Sequence, residues 1–352
     1  MRANVRRVHP HGADIRKTPS SAALLARTHR AVCGSGREKS IPKGTRYPMS
    51  SSVEASQARR GVRIDRRLVG RACVVFFAVG QLVSNLAFTL WSPNQLRSGV
   101  EFSPLIPPGA MFSIWAVIIT ASILWSILQL RPAVRESPLR DRLVAPLSVV
   151  YAGFGVWLAA ASLGQQSPLT LVVFVVIVAA HVVAWRRITA HREEVAGWRR
   201  IDRTVLYLSE GLYAGWTSIA LYLNVATVVQ ATGAPIGGGW GTTWQLLVVA
   251  AAAGTAVLFV VISHGSIWYT ATACYALVGA TISSTLGGFT ALALALGIGI
   301  IAIIGSTITV RASTDAGRAS DEENGPDGAD TAEGAHDSNR AFGPKSTRRS
   351  VL

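Results

Sequence analysis

Two apolar stretches carry side chains that could do chemistry. In IPPGAMFSIWAVI and the run that follows it, Phe112, Trp115, Ile119, Ser122 and Ser126 recur at spacings that share one helical face. In LSEGLYAGWTSIALYLN, Glu210, Tyr213, Thr217 and Asn224 fall on one stripe, with Trp216 and Ala220 overlapping it. Aromatic rings on two helices could stack on a flat apolar molecule, and Tyr213 and Asn224 could orient it. Ordinary helix packing is the plain alternative for both faces. Glu210 is the only acidic residue inside any apolar run. A charge at the centre of a bilayer costs roughly 2.5–3.5 kcal/mol by insertion scales. Glu210 could therefore snorkel, pair with a loop arginine or stay protonated. In a working role it could bind a cation, relay a proton or meet a ligand's polar group. His181 is the second candidate for an intramembrane polar role, against the alternative of a packed, hydrogen-bonded histidine. His264, in the loop 263–266, could meet it in space.

Other chemistry finds little support. There is no nucleophile–base pair, no paired carboxylates and no phosphate-cradling loop. Gly237, Gly238 and Gly239 lack the Lys-Ser/Thr that a P-loop needs. Cys33, Cys73 and Cys274 are too few and too scattered for a disulfide framework or a zinc site, so no metal site is expected. Binding or transport is expected rather than catalysis.

The elements that must position these residues follow from composition. Half of the 352 residues are hydrophobic and only 15% are charged, against roughly 25% in soluble proteins. The net charge of +15 is uneven. Residues 1–68 hold 16 Lys/Arg and 4 Asp/Glu, residues 69–310 hold 12 and 7, and residues 311–352 hold 6 and 8. The basic arm has no apolar periodicity and reads as disordered. Met49 reads as a natural start, which would leave residues 1–48 outside the native protein; an organelle transit peptide is the runner-up. The tail is low-complexity.

Between arm and tail lie eight apolar runs, at 69–91, 109–130, 143–163, 168–186, 204–229, 243–263, 267–284 and 286–310, each of about bilayer length. Lipid offers no partner to free backbone groups, so these are predicted to be transmembrane helices. The seventh is the least apolar, because it contains Thr270, Thr272, Ser283 and Ser284. Gly211 and Gly215, four residues apart in the fifth, would let a neighbouring helix approach closely. Loops 131–142 and 186–203 carry ten arginines, while the alternate loops carry one, Arg97. Positive loops stay inside, so both termini are expected in the cytoplasm. Trp91, Trp185, Trp240, Trp244 and Trp268 stand near run ends and read as interfacial belt residues. Trp115, Trp125, Trp157 and Trp216 lie deeper.

The motifs resemble a known family. Pro107-Pro108-Gly109 followed by Phe112-Ser113-Ile114-Trp115, and Leu212-Tyr213-Ala214-Gly215-Trp216-Thr217-Ser218-Ile219-Ala220 followed by Asn224, are similar to motifs of the TspO/MBR family. These are the tryptophan-rich sensory proteins, related to the translocator or peripheral benzodiazepine receptor; the match is to their longer, divergent branch. Trp157 stands where a tryptophan is usual in the third helix. The chain departs from the pattern at Ala110, Ile119, Phe154, Gly155 and Glu210. The resemblance covers residues 69–229 and implies a five-helix bundle around an apolar pocket. It further implies binding of porphyrins and related haem-pathway tetrapyrroles, sterols or benzodiazepine-type drugs.

The expected protein is all-α and polytopic. It has a basic arm (1–68), a TspO/MBR-like bundle (69–229), three further helices (230–310) and a tail (311–352). Its expected function is to bind or transport an apolar planar ligand such as a porphyrin through Phe112, Trp115, Tyr213, Trp216 and Asn224. The alternative is a secondary transporter of a small solute or ion that uses Glu210. The expected partners are the lipid bilayer and that planar molecule, with a second copy of the chain as a candidate and no nucleic acid. The expected place is a plasma membrane of bacterial type.

Overall fold

The computed structural model describes residues 65–91, 102–164 and 167–323. Most of the basic arm and the end of the tail, with the expectations attached to them, lie outside the described residues. Eight long helices make up the rest: α1 (Arg66–Trp91), α2 (Ile114–Leu128), α3 (Pro138–Ser162), α4 (Pro168–Ala190), α5 (Arg200–Ala231), α6 (Gly238–Ile262), α7 (Ile267–Leu286) and α8 (Thr290–Glu323). A 3-10 turn, Gly109–Ser113, leads into α2. There is no strand among the described residues.

Local chemistry sets several starts. Ser137 caps α3 by accepting from the Arg140 N–H, and Pro138 follows at the first helical position. Ser266 caps α7 in the same way through the Tyr269 N–H. The turn between α6 and α7 is tight: His264 and Gly265 both take the left-handed conformation, at φ 51° and 72°.

Seven of the helices, α7 being the exception, are long and apolar enough to cross a membrane. α7 has the length but falls short on apolarity. Most of its polar side chains face protein: Thr272, Ser283 and Ser284 are buried, and Thr270 bonds Thr307 of α8 at 2.7 Å, while Thr285 is exposed. The eight runs thus correspond to eight helices, and the weak seventh run has a packing cause.

Helix α5 is the hub. It packs on α2, α4, α6 and α7, and every residue from Ser209 to Ala220 is buried. The expected polar stripe therefore has no lipid-facing counterpart over this stretch. Glycine makes this enclosure feasible. A Cβ at Gly211 would lie 2.5 Å from Trp268 Cβ, and one at Gly215 would lie 2.5 Å from the Tyr269 carbonyl oxygen. α7 occupies that space, and α6 and α8 pack in turn on α5 and α7.

The Arg-rich segments meet at one end of the bundle. Arg71 of α1 lies 2.7 Å from Asp141 of α3 and also donates to the carbonyls of Gln129 and Val134. Arg140 lies 3.2 Å from Asp202, whose carboxylate Arg131 also binds. The Arg140 guanidinium sits 4.1 Å from the Trp198 ring centre and 5.0 Å from that of Trp125. Arg71 and Arg140 are buried, so these arginines also lock helix ends together.

Of the tryptophans expected in an interfacial belt, Trp91 and Trp240 are exposed. Trp185 and Trp244 are buried, against that expectation, and Trp268 is half-buried beside Gly211. Nearness to a helix end fixes depth in the membrane but not which way the side chain faces.

Candidate functional site

The end of the bundle remote from the arginines contains a pocket between α1, α2, α3, α4 and α5. Phe112, Trp115, Trp157, Phe174 and Trp216 line it, with Ile106 above and Asn224 and Thr227 toward the C-terminal end of α5. It encloses about 700 Å³ counted out to its open mouth, around an interior void of only about 80 Å³. The larger figure includes open solvent, and the enclosed void lies well below the roughly 300–1,000 Å³ of small-molecule sites. The smaller one describes a narrow slot rather than a chamber.

The rings form one assembly. Trp115 meets Phe154, Tyr213 and Trp216 edge-on at 4.7, 5.6 and 6.2 Å and lies nearly parallel to Trp157 at 5.9 Å. Phe112 meets Trp216 edge-on at 5.6 Å. Such edge contacts each add about 0.5–1.5 kcal/mol beyond burial, so the walls are fixed by packing. The Trp115 indole nitrogen is buried without a partner. A buried, unsatisfied donor requires an explanation, and a ligand or water acceptor in the pocket would supply one. Asn224 donates to its own helix at Ala220, 2.8 Å, which leaves the amide oxygen for other partners.

Of the five aromatic and amide residues selected from sequence, Phe112, Trp115, Trp216 and Asn224 line the pocket. Tyr213 is wholly buried behind Trp115, with its hydroxyl donating to the Val150 carbonyl at 3.4 Å. It stacks on Tyr151 at 5.9 Å and touches the His181 ring at 5.1 Å. It forms the floor and not the wall.

Beneath that floor Glu210 and His181 come together. His181 Nδ1 lies 3.2 Å from Glu210 Oε2, and both side chains are fully buried. Glu210 neither snorkels nor reaches a loop arginine, because the enclosure of α5 leaves it no route out. His264 lines a different, polar pocket with Arg192 and Arg311.

Sequence reading did not foresee the roof. Residues 103–111 cross the pocket end of the bundle, and α7 holds them there. Ser283 Oγ donates to the Ile106 carbonyl at 2.6 Å, Ser284 Oγ to that of Pro104 at 2.7 Å, and Tyr275 to that of Met111 at 3.2 Å. A Cβ at Gly279 would lie 2.7 Å from both Pro107 and Met111. The signal available in sequence was the cluster of hydroxyls that makes the seventh run so weakly apolar.

An all-helical membrane bundle with an aromatic slot in one half is the class of protein this geometry defines. The family model described as TSPO-like protein matches residues 70–309. The chain belongs to that family. The match runs past the quoted motifs through α6, α7 and most of α8, so the three further helices are part of what the family model describes. No curated protein and no solved structure matched the chain.

Proposed function

We propose that this membrane protein binds an apolar planar molecule in the aromatic slot, with a porphyrin or related tetrapyrrole as the favoured class. The observation that carries the reading is the slot itself: a narrow void walled by Trp115, Trp157, Trp216 and Phe112, with an unsatisfied indole N–H. Flat rings maximise contact with such walls, and an acceptor on the ligand would satisfy the Trp115 donor. With positive loops inside, the arginine end faces the cytoplasm, both termini lie there, and the slot lies in the outer half of the membrane.

The test is quenching of tryptophan fluorescence by protoporphyrin in the purified protein. Saturable quenching is expected, weakened at least tenfold in apparent affinity by Trp115→Ala or Trp216→Ala. Equal affinity in wild type and both variants would remove the slot as the binding site.

A second reading, a secondary transporter of a small solute or ion with Glu210 as the coupling carboxylate, draws support from the complete burial of Glu210 and its pairing with His181. Solute uptake into proteoliposomes that is unaffected by Glu210→Gln would count against it.

A further inference from the structure

We propose that Glu210 and His181 form a two-residue proton relay inside the membrane. The relay rests on reading Glu210 as a working carboxylate and is independent of the ligand in the slot.

The geometry is that of a relay in its bonding pattern. The facing atoms, Glu210 Oε2 and His181 Nδ1, are paired at 3.2 Å. The outward atoms, Glu210 Oε1 and His181 Nε2, are both buried without partners. Each buried polar atom left unpaired costs about 1–3 kcal/mol unless water or a proton partner reaches it. Here one free atom stands on each side of a hydrogen bond, which is where a proton must arrive and leave.

Charge counting defines the neutral state of the pair. Glu210 ionised beside a neutral histidine would put a net negative charge in a fully buried site. No arginine or lysine pairs with it among the described residues: Arg71, Arg131 and Arg140 are committed to Asp141 and Asp202 at the helix ends, and Arg187 donates to the Arg142 carbonyl. α6 and α7 contain no Asp, Glu, Lys, Arg or His. The neutral state therefore holds one exchangeable proton, either on Glu210 or shared as carboxylate and imidazolium. The other titratable groups around the pair are the phenols of Tyr213 on α5 and Tyr151 on α3, with Tyr269 on α7 behind the α5 glycines.

Transfer balances without any co-reactant. The Glu210 carboxyl gives its proton to His181 Nδ1, and the imidazolium releases the proton on Nε2 to a water. Glu210 then takes a new proton at Oε1, so one proton has entered and one has left; the cycle closes when the carboxyl turns that proton toward His181 and water exchanges the proton left on Nδ1 for one on Nε2. Two donors are too few to replace the water shell of a metal cation, and no group of three His, Cys, Asp or Glu gathers among the described residues. Hydroxyls lie between the pair and the arginine end. Tyr151 lies 3.4 Å from Ser209 Oγ, and Ser122 and Ser126 lie within reach of the same phenol. Gln129, at the end of α2, is buried with both amide atoms unpaired. The unpaired Gln129 amide is the kind of buried polar group at which internal water is expected.

The experiment uses the full chain in liposomes loaded with a pH-sensitive dye, with no slot ligand added. A potassium gradient with valinomycin sets the driving voltage. Proton flux above that of protein-free vesicles is expected. Glu210→Gln and His181→Phe should each lower it at least tenfold, and Glu210→Asp should restore part of it. Tryptophan fluorescence and helicity check that each variant folds. No flux in the wild type, or undiminished flux in folded Glu210→Gln and His181→Phe, overturns the relay. Either result leaves porphyrin quenching untouched, and solute uptake is scored separately.

Discussion

Gly215 is the position at which packing should be most sensitive to a single methyl group. A Cβ there would stand 2.5 Å from the Tyr269 carbonyl oxygen and 3.1 Å from the Ala273 nitrogen, both backbone atoms of α7. A carbon–oxygen contact of this kind settles at about 3.3 Å or more, so α7 must retreat by about 0.8 Å. A gap of that size forfeits about a quarter to a half of the dispersion energy of each contact it opens. Overpacking of this type costs about 1–3 kcal/mol, although alanine by itself improves a helix by about 1 kcal/mol over glycine. Gly254 of α6 provides the control, because nothing lies within 4 Å of its built Cβ. Thermal unfolding in one detergent should rank Gly215→Ala well below wild type and Gly254→Ala at or above it. Gly211→Ala should resemble Gly215→Ala. The double variant should fall short of the sum, since both sites push on the same turn of α7. Equal stability of Gly215→Ala and Gly254→Ala would refute the close α5–α7 contact and, with it, the explanation of why α5 is enclosed.

Three further outcomes follow from the same structure. Asp202→Asn removes the carboxylate from the buried Arg140 and should cost about 3–5 kcal/mol; Asp141→Asn should cost less, because Asp141 is 25% exposed against 2% for Asp202, and detergent melting curves compare them. Ser283→Ala with Ser284→Ala removes two bonds that hold the roof, each worth about 1 kcal/mol; stopped-flow quenching should show protoporphyrin leaving several-fold faster with the fold intact. In a cysteine-free background, Gly239→Cys in intact cells should react with an impermeant maleimide and Arg192→Cys should not; the reverse pattern would invert the proposed orientation.

Much of the fold was legible because a membrane imposes its rules on sequence directly. Run length gave the helices, and arginine asymmetry picked out the loops that the ion pairs gather at one end. The family motifs marked Phe112, Trp115, Trp216 and Asn224, which do line one pocket. Tyr213 shared their motif and spacing but forms the floor behind Trp115, because helical period places a residue on a face and does not say how deep in the bundle that face lies.

Sequence by itself determined that this is an all-α polytopic membrane protein of the TspO-related family and that Glu210 is an unusual residue. Hydrophobic length, charge placement and local motif are one-dimensional quantities, and they survive translation into space. Only the tertiary structure decided who meets whom. It brought His181 to Glu210 from a different helix, set α7 against Gly211 and Gly215, and sent the α7 serines to the carbonyls of a roof about 180 residues away in the chain. Those contacts depend on the rotation and depth of each helix, which are fixed by the packing of all the others at once. No single run carries that information, so the partners of Glu210 and the roof over the slot had to be seen rather than read.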